Sequence, residues 1–186
     1  LLRHTGRVAS LVYTVMHLGN VHRSLGDLEG AQARFEEAVQ LVRRTGEQRQ
    51  LGFALGNLGG LLIECGRISD ARARLDEALA TLEAADHKAG TIAIHMLLGQ
   101  LHARQGDAEA ARREVAIAEA LLQPGDALSL GQFLVVRCEV ERRAGAVDAA
   151  EVALREAEAI VERLGVGPRS FLGADARRER AALDLI

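Results

Sequence analysis

Residues 18–38 read LGNVHRSLGDLEGAQARFEEA, and the same pattern returns as LGGLLIECGRISDARARLDEA over residues 58–78 and as LGQLHARQGDAEAARREVAIA over residues 98–118. Each copy has a Leu–Gly pair, a later glycine, an alanine, a large apolar residue and a second alanine at the same six positions. A pattern that recurs at a constant offset of 40 residues is typical of proteins built from repeated units. The sequence therefore predicts an array of units that each contact their neighbours.

A fourth, weaker copy follows at an offset of 39 residues. It keeps Gly145, Ala150 and Leu154, but Arg137 and Cys138 replace the Leu–Gly pair. Terminal units of repeat arrays are often atypical because one of their faces meets solvent or a capping element. We therefore expect about four units, the last of them with an altered contact surface.

Each unit is predicted to begin with a helix, here named helix A. In the first unit, four residues have the spacing i, i+3, i+4 and i+7 of a single helix face: Val15, Leu18, Gly19 and His22. Gly19 lowers helix propensity by about 1 kcal/mol relative to alanine. This cost is reasonable if the missing side chain lets a second helix approach closely.

That second helix, helix B, follows after a short turn. Its apolar stripe is formed by Ala31, Phe35 and Ala38. Gly26 is expected to end helix A, and the Asp27 side chain is expected to accept hydrogen bonds from the free amides that open helix B. Two amphipathic helices joined by so short a turn pack antiparallel. An array of such pairs contains only helices, so the predicted fold class is all-α.

The order Leu–Gly, Gly, Ala, large apolar residue, Ala closely resembles the tetratricopeptide repeat (TPR) family over essentially the whole chain. The common unit of that family has 34 residues. The 40-residue period is instead similar to that of the family's long-unit members, which occur in kinesin light chains and in the sensor arms of bacterial signalling regulators. The resemblance implies a right-handed superhelical solenoid of helix-turn-helix repeats, in which helix A of each repeat lines a concave groove.

The repeats divide the chain into segments. Residues 1–6 are similar to residues 41–46, and the chain does not start with Met, so we expect a segment of a larger protein. After Pro168 an apolar stripe without a Leu–Gly pair predicts a capping helix. The expected division is the end of a preceding repeat at 1–7, repeats at 8–46, 47–86, 87–125 and 126–167, and the capping helix at 168–186.

Helical geometry assigns the groove to the side of helix A opposite its packed stripe. Twelve residues are predicted to line it as a partner-binding surface, here named the A-helix face: Tyr13, Met16, His17, Asn20, Phe53, Asn57, Glu64, Met96, Gln100, Arg104, Glu139 and Arg143. Side-chain amides both donate to and accept from a peptide backbone. Aromatic residues and methionine can anchor partner side chains, and arginine can bind carboxylates.

Two alternatives stay open for this face. Tyr13 and Phe53 are equally well explained by packing on a preceding unit, and the amides by plain solvation. The carboxylate-clamp members of the family grip acidic tails with basic side chains. Met16, Ala93 and Leu97 occupy the corresponding positions here, so binding of a chaperone tail is not expected.

Composition argues against several classes of partner. The formal net charge of −3 gives no broad positive field for a phosphate backbone, so nucleic acid is not expected as a direct partner. No apolar run approaches the roughly 20 residues that span a bilayer, so no membrane partner is expected. With no signal-peptide pattern at the start of the chain, a cytoplasmic location is the default.

Chemistry at a site is not predicted either. The sequence has no motif of a nucleophile elbow, zinc protease, P-loop or dinucleotide site, so we expect no catalytic residues, no cofactor and no metal. His95 and His102 lie seven residues apart, but His22 and His102 occupy a position that packs in the TPR family, so structural histidines are expected. Cys65 and Cys138 lack ligand spacing and are predicted to be small buried hydrophobic residues.

We therefore expect a non-catalytic scaffold that holds a protein or peptide partner in its groove. The alternative is a regulatory or sensor arm of a multidomain bacterial signalling protein or transcription regulator. Self-association through an exposed end of the array is a further expectation, since an open end exposes apolar surface.

Overall fold

The structure is a computed structural model, and it describes residues 2–167 and 170–186, with side chains from Ser10 onward. Within these residues the secondary structure consists of α-helices with no strand: α1 Leu2–Ser24, α2 Leu28–Thr45, α3 Gln48–Glu64, α4 Ile68–Ala84, α5 Lys88–Gln105, α6 Ala108–Leu121, α7 Ala127–Arg143, α8 Val147–Leu164 and α9 Phe171–Leu183. The predicted all-α class is confirmed. Within the described residues, no helix is both long and apolar enough to cross a bilayer.

The chain forms two compact units, Leu1–Leu97 and Leu98–Ile186, which divide inside α5. In the first unit, α1 pairs with α2 and α3 pairs with α4, while α2 also packs on α3 and α1 contacts α3. In the second unit, α7 pairs with α8, α6 packs on α7, and α9 packs on both α7 and α8. Neighbouring helices therefore pack in succession, as expected of a helical repeat fold.

The predicted segment boundaries near residues 46, 86, 125 and 167 fall in the connections between helices. The boundary expected at residue 7 instead falls inside α1, because this helix is continuous from Leu2 to Ser24. The division into repeats itself stays a prediction. Pro168, at the start of the predicted capping helix, lies outside the described residues, and α9 begins at Phe171.

The turns repeat as the sequence does. Each A-to-B turn places a glycine at φ between 72° and 80°: Gly26, Gly66, Gly106 and Gly145. Glycine adopts this left-handed conformation without the Cβ clash of other residues. Gly46 and Gly125 are left-handed two residues before the helices that follow them, and Asp86 stands at the same place between α4 and α5, with φ 49°.

In the part of the chain that the structure describes, aspartate side chains cap the starts of α2, α6 and α7. The Asp27 Oδ1 atom accepts a hydrogen bond of 2.9 Å from the Gly30 amide, as predicted, and the Asp107 Oδ1 atom does the same for the Ala110 amide. The Gly30 amide, and secondly the hydrogen bond with His22, hold the pKa of Asp27 below its usual value. Such a cap satisfies one of the unpaired amides at a helix start.

The close approach predicted at Gly19 is confirmed. A Cβ atom at Gly19 would lie 2.6 Å from Phe35 Cε1 on helix B, and one at Gly59 would lie 2.6 Å from Leu75 Cδ2. In the third copy, a Cβ atom at Gly99 would lie 3.1 Å from a Val115 methyl group. The large apolar residue of helix B therefore packs against the glycine of the Leu–Gly pair in the same hairpin.

Two burial predictions are wrong. Leu18 was expected in the packed stripe, but 46% of its surface is exposed, whereas Leu58 is 4% exposed. Leu58 lies on α3, which packs on both α2 and α4, whereas α1 packs on α2 and only contacts α3. Cys65 was expected to be buried but is exposed, because it caps the C-terminus of α3 at a surface turn; Cys138 is buried as predicted.

Candidate functional site

In the first compact unit, helix α1 presents an uncharged part of the A-helix face. Tyr13 and His17 are exposed and Asn20 is half-buried, so these three side chains are accessible from one side of α1. Met16 is buried and adds little to the accessible surface. An exposed phenol, an imidazole and an amide together offer donors and acceptors for a partner backbone.

Helix α3 continues this face beside α1. The Asn57 Nδ2 atom lies 3.9 Å from the Met16 sulfur, so two predicted residues from successive A helices meet. Phe53 contacts His87 edge to face, with ring centroids 5.1 Å apart. Phe53 is half-buried and part of its ring packs on the segment that leads into α5, on the following side rather than the preceding one.

Of two further predicted residues of this unit, Glu64 has an internal partner and Met96 is buried. Glu64 accepts hydrogen bonds from the Arg23 Nε atom at 3.1 and 3.0 Å, with a further contact from an Arg23 terminal nitrogen. Arg23 was not predicted to take part. Met96 on α5 is buried. Glu64 thus joins α3 to α1 through a bidentate ion pair, and Met96 belongs largely to the packed interior.

In the second compact unit, the four remaining predicted residues form one cluster around Glu139. The Gln100 side-chain amide donates to Glu139 Oε2 at 2.7 Å, and Arg143 Nε donates to Glu139 Oε1 at 2.9 Å. Arg104 Nε lies 3.7 Å from the same Oε1 atom. Glu139 is buried, with 3% of its surface exposed, while both guanidinium groups are partly exposed.

The electrostatic role of this cluster follows from its burial. A buried carboxylate is costly unless it is paired and hydrogen-bonded, and Glu139 has both kinds of partner. Its position ties α5 to α7, and it holds the Arg143 side chain by a hydrogen bond and pairs more loosely with Arg104. Planar guanidinium groups held in place are suited to bidentate binding of a carboxylate.

The contacts that sequence reasoning missed have a common signal. Arg23 pairs with Glu64 at a separation of 41 residues, and Gln100 pairs with Glu139 at a separation of 39. Both separations are close to one repeat period. Complementary polar residues about one period apart on successive A helices therefore mark contacts between helices.

The remaining candidates for chemistry offer no assembled centre. Among the described residues, no group of three or more His, Cys, Asp or Glu side chains gathers where a metal ion could bind. His22 and His102 are half-buried and His95 is buried. Burial raises the pKa of the Cys138 thiol to about 12, so it stays protonated and unreactive at neutral pH.

The repeat array of this chain has a counterpart among known protein families. The family model of the MalT-like TPR region matches residues 1–170. The chain belongs to this TPR family. The resemblance inferred from the Leu–Gly, Gly and Ala pattern is thereby confirmed, since the match covers most of the chain.

Among solved structures, the chain is similar to BtubC (BKLC) from P. vanneervenii, with a TM-score of 0.66. The two sequences are 21% identical, and the match covers 88% of this chain and 69% of BtubC. This likeness supports the helical repeat fold and carries no functional detail. No curated protein matches the chain.

Proposed function

We propose that this TPR region is a non-catalytic scaffold that binds a protein or peptide partner on the A-helix face of each compact unit. We expect no chemistry at this face, because the sequence has no motif of a known catalytic site. Affinity then comes from hydrogen bonds to a partner backbone, and specificity comes from the side chains that flank those bonds.

The observation that carries this proposal is the Glu139 cluster. A surface that only needs to be soluble gains nothing from a buried carboxylate, which requires compensating partners. Here Glu139 holds Arg143 by a hydrogen bond and pairs with Arg104, and both arginine side chains are partly exposed. Side chains that are held in place before binding lose less conformational entropy when the partner arrives.

The first compact unit supports the same proposal with a different chemistry. Tyr13, His17 and Asn20 are accessible on α1 and carry no fixed charge. They suit the backbone of an extended peptide, whose amides and carbonyls need both donors and acceptors. We infer that the first unit contributes hydrogen bonds and that the second contributes charge recognition.

Site-specific photocrosslinking tests the proposal. A photoreactive residue at His17 or Arg143 should capture a partner from cell lysate, identified by mass spectrometry. The matched controls are Gln40 on α2 and Arg113 on α6, which are exposed on B helices. The proposal fails if the same proteins are captured with equal yield from both sets of positions.

A titration with the captured partner then measures the role of charge. Arg143→Gln should weaken binding at least about tenfold, as expected for a central arginine in an interface. Arg113→Gln removes an exposed arginine from a B helix and should leave the affinity unchanged. No feature of the described residues favours the regulatory-arm alternative over the scaffold.

A further inference from the structure

The start of helix α5 is capped by a histidine. His87 stands directly before α5, and its Nδ1 atom accepts a hydrogen bond of 3.0 Å from the Gly90 amide. The caps of α2, α6, α7 and α9 have the same arrangement, in which an aspartate or serine oxygen accepts from the amide three residues later at 2.9–3.1 Å. At α5 an imidazole nitrogen therefore does what an oxygen does at those helices.

Two contacts hold the imidazole of His87 in this position. Phe53 on α3 meets the ring edge to face, with the ring centroids 5.1 Å apart. Gly90 leaves room for the ring, because a Cβ atom there would lie 3.0 Å from Nδ1 and 2.8 Å from Leu82 Cδ2. His87 is half-buried and Gly90 is buried. The ring is therefore placed by packing as well as by its hydrogen bond.

The protonation state of His87 decides whether this cap exists. A ring nitrogen that accepts a hydrogen bond carries no proton, so the cap requires the neutral imidazole with its proton on Nε2. Protonation turns Nδ1 into a donor that faces the Gly90 amide, which is itself a donor. It also places a positive charge at the positive end of the α5 dipole. Histidine ordinarily changes charge between about pH 5 and 8, whereas aspartate does so far below neutral pH.

The charged groups around this cap are at its edges. Residues 50–63 of α3 and 89–103 of α5 contain no Asp, Glu, Lys or Arg, and the next histidine in α5, His95, is about two turns further along. The charged residues that flank these segments are all exposed: Glu47, Arg49, Glu83, Asp86 and Lys88. Exposed charges interact weakly through water. The loss of the hydrogen bond is therefore the larger effect of protonation.

We propose that His87 is a pH-sensitive cap, which holds the first turn of α5 when the imidazole is neutral and releases it when the imidazole is protonated. The stabilisation by this cap is complete above the titration range of histidine and is lost as the pH falls through that range. Because Phe53 packs on the ring, release of the turn also changes the environment of a residue of the A-helix face. The switch itself does not depend on the proposed scaffold function.

Nuclear magnetic resonance of the 186-residue chain tests the proposal at single atoms. At about pH 8 the nitrogen resonances of His87 should show a proton on Nε2 and none on Nδ1. Between about pH 8 and 5, the protection of the Gly90 and Thr91 amides should fall about fivefold relative to the intrinsic exchange rate at each pH, as for the loss of a helix cap. The ring resonances of Phe53 should shift over the same range.

Two variants separate His87 from the other titrating groups. His87→Asn and His87→Asp keep an oxygen acceptor at the cap but do not titrate in this range, and Asp126 caps the start of α7 in the same way. In both variants the Gly90 amide should keep its protection down to about pH 5. His17→Asn is the matched control, because His17 is exposed on α1, and it should retain the pH dependence of the parent chain.

Three results would overturn the proposal. They are a proton on Nδ1 of His87 at about pH 8, a Gly90 amide whose protection does not change with pH, and an equal fall of protection in His87→Asn and the parent chain. These measurements need no partner, whereas the scaffold function is tested by capture at Arg143. Failure of the pH-sensitive cap is therefore distinguishable from failure of the scaffold function.

Discussion

Helices α1 and α3 have the same Leu–Gly pattern, yet their leucines have opposite environments. Leu18 is largely exposed and Leu58 is buried. The glycines beside them have the same environment, because a large side chain from helix B of the same hairpin packs against each of Gly19 and Gly59. Contacts within a hairpin are therefore set by the repeat pattern, whereas contacts between hairpins depend on which neighbour is present.

The largest expected effect compares the two leucines directly. Leu58→Ala should lower the free energy of unfolding by about 2–5 kcal/mol, because it removes buried methyl groups and leaves a cavity. Leu18→Ala should cost less than about 1 kcal/mol, as for most surface substitutions. Urea denaturation of the two variants and the parent chain measures both losses. Equal losses would show that α1 is as tightly covered as α3.

A smaller effect is expected at the glycines. Gly59→Ala gains about 1 kcal/mol of helix propensity, but its Cβ atom would lie 2.6 Å from Leu75 Cδ2 in a packed interior. We expect a net loss of about 1–2 kcal/mol. Gly99→Ala is the control, because its Cβ atom meets Val115 at 3.1 Å and the two terms nearly cancel. A stabilised Gly59→Ala variant would contradict the close-approach explanation.

Acid should destabilise the caps. The pKa of Asp27 lies below its ordinary value of 3.8, so the stabilisation by its carboxylate is complete above that pH and is lost as the pH falls through the lower, folded-state value. The same sign holds for Asp126, whose pKa is lowered mainly by hydrogen bonds from Ser129. Urea midpoints measured from neutral pH to below 3.8 should fall more for the parent chain than for Asp27→Asn. Urea midpoints that fall equally in the parent chain and in Asp27→Asn would contradict this role of the Asp27 cap.

The smallest expected effect concerns the reactivity of the two cysteine thiols and involves no change in stability. Cys65 is exposed and should react with a thiol reagent at the rate of a free cysteine. Cys138 is buried with a pKa of about 12 and should react only as fast as the protein opens. Absorbance with a chromogenic disulfide reagent should show one rapid and one slow thiol. Cys65→Ser should remove the rapid phase alone, and loss of the slow phase instead would reverse the assignment.

The features that could be predicted are local ones. The Gly26 turn, the Asp27 cap and the approach of Phe35 to Gly19 all follow from residues within a single hairpin. Spacing along a helix and the chemistry of a short turn fix such contacts without reference to the rest of the chain. The TPR family follows for the same reason, since it is defined by that repeated local pattern.

The features that could not be predicted depend on contacts between side chains of different helices. Glu139 and Glu64 have the same charge and both were assigned to the A-helix face, but one is buried among three polar side chains and the other is paired with Arg23 near the surface. Side-chain burial is a property of the packed assembly, and a helical periodicity reports only which residues share a side. The twelve predicted residues therefore stay a prediction as a partner-binding surface.

By itself the sequence determined the helices, their turns and caps, and the glycine contacts that join each pair, because these depend on residues close together in the chain. Only the tertiary structure decided that the Leu18 side of α1 is open, that Glu139 gathers Gln100, Arg104 and Arg143, and that Cys65 faces solvent. These features depend on which helices lie next to one another. Repeats with nearly the same pattern have different environments at different positions in the array, so the pattern alone leaves their exposure undetermined.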